Sequence, residues 1–205
     1  MSRVADPCVA IVDAGGANFA SVRCAFERLG ARVVLAPDAD GLRDADRILL
    51  PGVGAAGPAM ALLRERGFDQ ALSTARAPVL GICLGMQLLF ASSAEGEVVT
   101  LGMLPGRVEA LRPGPGVRVP HMGWNTVSQV RPSALFEGIA DGTQMYFVHG
   151  YAAAPCADGI AETVHGEPFT AAVQRGAVFG VQFHPERSAA AGARLLDNFL
   201  RMPAP

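Results

Sequence analysis

The sequence predicts an α/β fold: a single domain with a mostly parallel central sheet and helices on both faces. Three observations predict it. The 205 residues are half apolar and only 18% charged, which suits one well-buried globular domain. Short apolar runs alternate with segments of helical periodicity through the first half of the chain. No internal repeat, low-complexity tract or long linker divides the sequence, so residues 1–205 are expected to form one domain.

The first half contains strands and helices in alternation. The predicted elements are a strand at 8–13, a helix at 18–29 closed by Gly30, strands at 32–36 and 47–50, a helix containing Met60, Leu62 and Leu63 that ends at Gly67, and a strand at 79–82. In such sheets, ligands bind outside the carboxyl ends of the strands. Gly15, Gly52 and Cys83 each follow a predicted strand, so we expect them to converge at that edge.

The second half is richer in strand and turn signals. Extended segments are predicted at 107–111, 117–119, 145–148, 159–164, 171–173 and 178–183, and a closing helix at 188–200. The cluster of prolines and glycines at 112–116 predicts a surface turn.

Composition excludes several classes of function. A net charge of −2 provides no basic surface for nucleic acid or an acidic membrane. No apolar run approaches the roughly 20 residues of a membrane span, and the N-terminal residues lack a signal-peptide pattern. We therefore expect a cytoplasmic protein with no nucleic-acid and no membrane partner. All 17 basic residues are arginine, which excludes a Schiff-base lysine and a Walker-type phosphate loop.

The four cysteines are scattered along the chain and form no C-x-x-C pair. Such spacing does not indicate a zinc site or a redox dithiol, and a disulfide framework is not expected in a cytosolic chain of this size. No metal and no cofactor are therefore predicted.

The strongest functional signal lies at residues 78–90. A short apolar strand leads to Cys83, which stands between Gly81 and Gly85, and a helical segment follows. This is the layout of a nucleophile elbow with a thiol as the nucleophile. Unpaired N–H groups and the positive dipole end at a helix N-terminus favour the thiolate. A buried apolar cysteine is the alternative, but the strand before Cys83 and the helix after it favour a nucleophile.

A histidine and a carboxylate follow late in the chain, at His184 and Glu186. Pro185 restricts His184 to extended geometry, and residues i and i+2 of an extended segment point the same way. Glu186 is thus expected to bind one imidazole nitrogen and leave the other for a thiol. A nucleophile, a base and an orienting carboxylate together indicate a catalytic triad.

The segment at 51–54, with Gly52 and Val53 at its centre, predicts an oxyanion hole. Its glycines allow backbone N–H groups to approach a tetrahedral intermediate, and the N–H of Leu84 is expected to supply a second donor. The alternative is a plain turn at the end of a strand. A triad with an oxyanion hole indicates acyl transfer, and the residues alone leave a peptide, an ester or an amide as possible substrates.

The other histidines carry weaker signals. His121 and His149 lie in aromatic contexts but share no metal-ligand spacing, and His165 is predicted to be an exposed loop residue.

The motif GICLGMQ at 81–87 and the motif QFHPE at 182–186 resemble those of the class I, triad-type glutamine amidotransferases. Further stretches narrow the resemblance to the glutaminase subunits of imidazole glycerol phosphate synthase, a family of histidine biosynthesis. They are PGVGA at 51–55, PHMGWN at 120–125, YFVH at 146–149 and the opening loop DAGGANFASV at 13–22, with smaller matches between 95 and 108. The resemblance spans nearly the whole chain and implies a flavodoxin-like α/β domain.

The resemblance implies hydrolysis of glutamine to glutamate and ammonia. Cys83 would attack the side-chain carboxamide and form a γ-glutamyl thioester, His184 would protonate the departing ammonia and then activate water, and Glu186 would orient His184. Gln87, Glu95 and Tyr151 would bind the glutamine. Ammonia would pass through a (β/α)8-barrel synthase subunit that makes imidazole glycerol phosphate and AICAR, and the resemblance places Asn18, Trp124, Tyr146 and Arg187 at that interface.

The chain departs from the family pattern at four positions. Ala14 stands where a tyrosine is usual, Ala17 where a glycine is usual, and Arg187 where a lysine commonly follows HPE. Gly150 replaces a serine or threonine that lies near the backbone of the substrate glutamine in relatives. These changes leave the triad intact but bear on substrate binding and on coupling to the partner.

Three other functions compete with this hypothesis. A paralogous amidotransferase subunit would use the same triad with another synthase. A non-catalytic structural partner would keep the fold without needing Cys83, His184 and Glu186. A cysteine hydrolase of peptides or esters would turn over alone and ignore glutamine.

Overall fold

The computed structural model describes residues 7–15 and 19–202. Its strands are β1 (Cys8–Val12), β2 (Arg32–Ala36), β3 (Arg47–Gly52), β4 (Val79–Cys83), β5 (Ser92–Ser93), β6 (Val98–Val99), β7 (Arg107–Ala110), β8 (His121–Gln129), β9 (Thr143–His149), β10 (Tyr151–Ala153), β11 (Gly159–His165), β12 (Glu167–Arg175) and β13 (Val178–Val181). Its α-helices are α1 (Phe19–Arg28), α2 (Ala56–Glu65), α3 (Phe68–Ser73), α4 (Leu84–Leu89) and α5 (Ala189–Arg201).

A nine-stranded sheet forms the centre of the molecule, in the order β2-β1-β3-β4-β13-β12-β11-β8-β9. The five strands from β2 to β13 are parallel, which confirms the α/β class. The remaining neighbours pair antiparallel, so the complete sheet is mixed. The change of direction follows from tight hairpins at Gly166 and Gly176, both with positive φ, because hairpins can join only antiparallel strands.

Helices cover both faces of the sheet, as predicted. Alternate residues of β1 point to opposite faces, so that Val9 and Ile11 pack with α1 and α5 while Ala10 and Val12 pack with α2 and α3. A second sheet, of the order β10-β7-β5-β6, lies in the same hydrophobic cluster as α2 to α4. Within the described residues, no helix is both long enough and apolar enough to cross a membrane.

Two sequence predictions differ from the structure in the second half. The strand predicted at 117–119 is wrong, because Val117 instead closes a tight turn through a bridge to Gly114. The strand in this region begins later, at His121, after Pro120, which has no N–H to donate to a ladder. This long strand β8 was not predicted, and in the first half of the chain the short helix α3 was not predicted either. His165, predicted in an exposed loop, ends β11 and is half-buried.

Candidate active site

Cys83 is held in a conformation that few side chains adopt. It is the last residue of β4 and immediately precedes α4, with φ +55° and ψ −113°. A non-glycine residue in such a region costs about 1–3 kcal/mol and persists only where its surroundings enforce it. This conformation is that of a nucleophile elbow, because β4 ends at Cys83 and α4 begins at the next residue.

The two flanking glycines are required by the packing of α4. A Cβ at Gly85 would lie 1.7 Å from the carbonyl oxygen of Leu50 on β3. A Cβ at Gly81 would lie 2.7 Å from the backbone nitrogen of Met86. Both distances are far inside van der Waals contact, so the first turn of α4 can rest against the sheet only where these side chains are missing.

The predicted oxyanion segment lies directly beside the elbow. In the parallel pairing of β3 with β4, Gly52 is the register partner of Cys83. Val53 and Leu84 line the same open cavity as Cys83, whereas Gly52 lines a second, smaller cavity behind the segment. Leu84 is the first residue of α4, where a backbone N–H has no partner inside the helix. The structure therefore brings all three predicted residues together.

His184 and Glu186 form a buried pair. The Nδ1 atom of His184 lies 2.8 Å from Oε1 of Glu186, whose side chain is fully buried. His184 itself is extended, as predicted, but Glu186 reaches it through a 3₁₀ turn at Pro185–Arg187 rather than through an extended segment. The histidine backbone is anchored on β9, where His184 N–H donates to the carbonyl of Tyr146 over 2.8 Å.

Electrostatics make His184 an exceptional histidine. Burial by itself lowers its pKa, but hydrogen bonds to Cys83 and Glu186 and the charges of both groups outweigh burial and raise the pKa to about 10. His184 is therefore an imidazolium at neutral pH. An imidazole hydrogen-bonded to a cysteine sulfur on one side and to a carboxylate on the other is the arrangement of a Cys-His-acid nucleophilic site.

The site opens into a cavity of about 500 Å³. The residues predicted to bind the substrate all line it, as do His149, Gly150 and Arg187; the predicted set is Gln87, Glu95 and Tyr151. The carboxylate of Glu95 accepts a hydrogen bond from the backbone N–H of Ala56 over 2.8 Å. Since Ala56 begins α2, this hydrogen bond also fixes the backbone that follows the predicted oxyanion segment.

Three neighbouring histidines extend away from the cavity, whose wall includes His149. His149 Nε2 lies 2.9 Å from Nδ1 of His121, whose Nε2 lies 3.1 Å from the amide nitrogen of Asn125. Burial lowers the pKa of His149 to about 3 and that of His121 to about 4. His165 stacks on His121 with ring centroids 4.1 Å apart. Among the described residues, no group of three or more His, Cys, Asp or Glu side chains could hold a metal ion.

Three of the four residues predicted at the partner interface lie together. Trp124 and Tyr146 are cross-strand partners on β8 and β9, with ring centroids 5.9 Å apart. The guanidinium carbon of Arg187 lies 5.1 Å from the centroid of the Tyr146 ring. Trp124 is 51% exposed, so much of its indole is free to contact another molecule. Asn18 lies outside the described residues.

Sequence reasoning gave no role to two cavity neighbours. Gln182 is fully buried and its amide nitrogen lies 3.7 Å from the sulfur of Cys83. His149 lines the cavity through its buried ring. The available signal for Gln182 was its place two residues before His184, because alternate residues at a strand end face the same way.

Comparisons with known proteins agree with the geometry. Residues 10–202 match the family "Glutamine amidotransferase class-I". The chain is 55% identical over 197 residues to the imidazole glycerol phosphate synthase subunit HisH of Xanthomonas campestris pv. campestris, covering 96% of this chain and 98% of that protein. It is 53% identical over 196 residues to the subunit of the same name from Xylella fastidiosa, with the same coverages.

Solved structures share the fold at lower identity. A glutamine amidotransferase crystal structure superposes with a TM-score of 0.74 at 21% identity, covering 94% of this chain and 96% of that one. The structure of PurLQS from Thermotoga maritima gives a TM-score of 0.74 at 20% identity, covering 95% and 98%.

Replacement of Gly85 by alanine tests the packing of the elbow. Because the new Cβ would lie 1.7 Å from the Leu50 carbonyl oxygen, we expect Gly85→Ala to lower the free energy of unfolding. The loss should be about 3 kcal/mol or more. The matched control is Gly57→Ala on α2, where a Cβ meets nothing within 4 Å. That helix position should gain about 0.5–1 kcal/mol. Urea unfolding of both variants decides, and equal stability of the two would contradict the packing described.

Proposed function

The chain belongs to the class-I glutamine amidotransferase family, and from that premise we propose that it is the glutaminase subunit of an imidazole glycerol phosphate synthase. It hydrolyses glutamine to glutamate and ammonia, and the ammonia is used by a synthase subunit in histidine biosynthesis. The observation that carries the proposal is the buried His184–Glu186 pair beside the elbow thiol of Cys83. Identity of 55% with a subunit of that name, over nearly the whole chain, supports the choice of pathway.

In the proposed reaction, Cys83 is the nucleophile. Its thiolate attacks the carboxamide carbon of glutamine, and the negative charge that develops on the oxygen is stabilised by backbone N–H groups of Gly52, Val53 and Leu84. The imidazolium of His184 then gives its proton to the departing nitrogen, which leaves as ammonia while the γ-glutamyl thioester forms. Neutral His184 next takes a proton from water, the hydroxide attacks the thioester, and glutamate leaves as the thiolate is restored.

Gln87, Glu95 and Tyr151 are the proposed glutamine-binding residues. Both N–H groups of the Gln87 amide are already engaged, by the Tyr151 carbonyl and the Gln182 carboxamide oxygen, each at 2.9 Å. Only its oxygen can therefore face the cavity, where it would accept from the substrate ammonium group. The carboxylate of Glu95 favours the same ammonium group. Gly150 leaves this wall open, since a Cβ there would meet only a methyl group of Val119 at 3.9 Å.

We further propose that the partner is a (β/α)8-barrel subunit, bound as a heterodimer in the cytoplasm, which converts the ammonia and its nucleotide substrate to imidazole glycerol phosphate and AICAR. Trp124, Tyr146 and Arg187 form the proposed docking patch, and Asn18, which is proposed for the same interface, lies outside the described residues. Large aromatic side chains and arginine are the residue types that anchor protein interfaces. Arg187 also lines the cavity, so the patch and the substrate site are adjacent.

The first test is glutamine hydrolysis by the purified chain, alone and with an imidazole glycerol phosphate synthase barrel subunit plus its nucleotide substrate. We expect strong activation by the mixture. Cys83→Ala should abolish glutamine-dependent synthesis and leave synthesis from ammonium salts intact, because the thiol serves only the first half-reaction. Cys24→Ala is the matched control, since Cys24 is exposed on α1, and it should behave as wild type.

Each other outcome selects a competing function. Glutaminase activity that the barrel subunit does not change would indicate an amidotransferase subunit of another synthase. Turnover of peptides or esters in place of glutamine would indicate an independent hydrolase. Unchanged glutamine hydrolysis in Cys83→Ala would overturn the proposed nucleophile.

The raised pKa of His184 predicts a pH profile. A group whose pKa rises from 6.5 to about 10 stays protonated through neutral pH and loses its proton only as pH passes the higher value. Glu186→Gln removes one source of that rise, so we expect the basic limb of kcat/KM for glutamine to move to lower pH by roughly one unit or more. Glu137→Gln, which removes the same charge away from the cavity, should leave the limb in place. An unmoved limb in Glu186→Gln would show that Glu186 does not act on His184.

The docking patch predicts the effect of Trp124→Ala. Removal of this half-exposed indole should raise the Kd for the barrel subunit roughly tenfold or more, because aromatic anchors carry much of the binding free energy of an interface. Val99→Ala removes an exposed apolar side chain from β6 and should leave the Kd unchanged. Titration calorimetry with the barrel subunit measures both, and an unchanged Kd for Trp124→Ala would exclude the patch as the interface.

A further inference from the structure

Two buried amides connect the wall of the cavity to the catalytic sulfur. Gln182, immediately after β13, is fully buried, and Gln87, on α4, is 5% exposed. The Nε2 atom of Gln87 lies 2.9 Å from the backbone oxygen of Tyr151 and 2.9 Å from Oε1 of Gln182. The Nε2 atom of Gln182 lies 3.7 Å from the sulfur of Cys83, within the range of an N–H···S hydrogen bond.

The backbone carbonyl of Tyr151 sets the direction of this series of hydrogen bonds. A backbone carbonyl can only accept, so Gln87 must turn its NH₂ group toward Tyr151. The second N–H of the same group then points at Gln182, which must present its oxygen. The NH₂ group of Gln182 is therefore the end that faces the sulfur. His149 fixes the same carbonyl from the other side, with Nδ1 at 2.9 Å, so both lone pairs of the Tyr151 oxygen are used.

The sulfur of Cys83 thus lies between an acceptor and a donor. The backbone oxygen of Val148, at 3.6 Å, can receive the S–H proton of the neutral thiol and repels the thiolate. The N–H of Gln182 acts in the opposite sense, because hydrogen bonds to a charged acceptor are stronger than those to a neutral one. Gln182 therefore favours the ionised sulfur without itself carrying charge, in a place where a second cation would compete with His184.

We propose that Gln182 is a further catalytic residue of this site, a fixed hydrogen-bond donor to Cys83 Sγ that Gln87 and the Tyr151 carbonyl hold in place. Its N–H donates to the thiolate at two points in the reaction. The first is before attack on the substrate, and the second is when hydrolysis of the thioester restores the thiolate. No proton leaves Gln182 in either step. This inference rests on the proposed role of Cys83 as nucleophile.

The test measures the reactivity of the Cys83 sulfur in the absence of glutamine. The rate of Cys83 alkylation by iodoacetamide is followed from pH 4 to pH 10 in the full chain, with mass spectrometry to assign the modified cysteine. Gln182→Met keeps the volume of the side chain and removes the donor. We expect the pH of half-maximal alkylation to rise, and kcat for glutamine in the complex with the barrel subunit to fall roughly tenfold.

Gln182→Glu is the second variant, and it keeps the inference testable if Gln182→Met does not fold. It keeps the shape and places an acceptor, charged when ionised, beside the sulfur, so its midpoint should rise further than that of Gln182→Met. Gln174→Met is the matched control: it makes the same change on β12, where Gln174 Oε1 accepts a hydrogen bond from Ser133. Its midpoint should equal that of wild type. Circular dichroism and Tm establish that each variant is folded.

The outcomes are separable. The order wild type, Gln182→Met, Gln182→Glu in rising pH supports the donor role, which packing alone does not produce. Unchanged midpoints in folded variants overturn the inference and leave the proposed function untouched. A wild-type Cys83 that reacts no faster than the exposed Cys24 overturns the nucleophile itself, and the inference falls with it.

Discussion

The close approach of helix α4 to strand β3 is the constraint on which the site depends. Gly85 presses against the Leu50 carbonyl so tightly that no side chain fits, and a Cβ at Gly52 would meet Leu84 at 2.9 Å. With the helix packed there, β4 joins it through a residue of positive φ, Cys83. The sulfur, the first N–H of the helix and the segment after β3 are consequently parts of one packed unit. Their relative placement is determined by the core and not by the loops around it.

Two buried histidines face the same cavity with opposite electrostatics, and their partners explain the difference. His184 has the Cys83 sulfur and the Glu186 carboxylate as partners, and its pKa rises to about 10 in spite of burial. His149 has a carbonyl and another imidazole, and burial lowers its pKa to about 3. The cavity therefore contains a single imidazolium, placed beside the sulfur. A protonated His149 would weaken the pairing of His184 with Cys83 and repel a substrate ammonium group.

The elbow and the His184–Glu186 pair could be predicted from the sequence because their chemistry is local: a glycine two residues on each side of Cys83, and a proline between histidine and glutamate. The parallel half of the sheet could be predicted equally well, since apolar runs alternate with segments of helical periodicity there. Strand β8 could not be predicted, because polar and glycine residues interrupt its alternation and its stability comes from pairing with β9 along seven register positions. Gln182 contacts Cys83 across 99 residues of sequence, and its place two residues before His184 indicates a shared direction of the two side chains but not this contact.

Tyr146 joins the two proposed functions of the surface and the cavity. Its ring packs against Trp124 and Arg187, the patch proposed to receive the partner. Its backbone carbonyl accepts from His184 N–H, and its backbone N–H donates to the hydroxyl of Ser188, which in turn donates to the carbonyl of His184 over 2.7 Å. His184, the proposed catalytic base, is thus linked to Tyr146 directly through its N–H and, through Ser188, by its carbonyl. The proposed partner surface and the proposed catalytic histidine therefore share one hydrogen-bonded backbone unit.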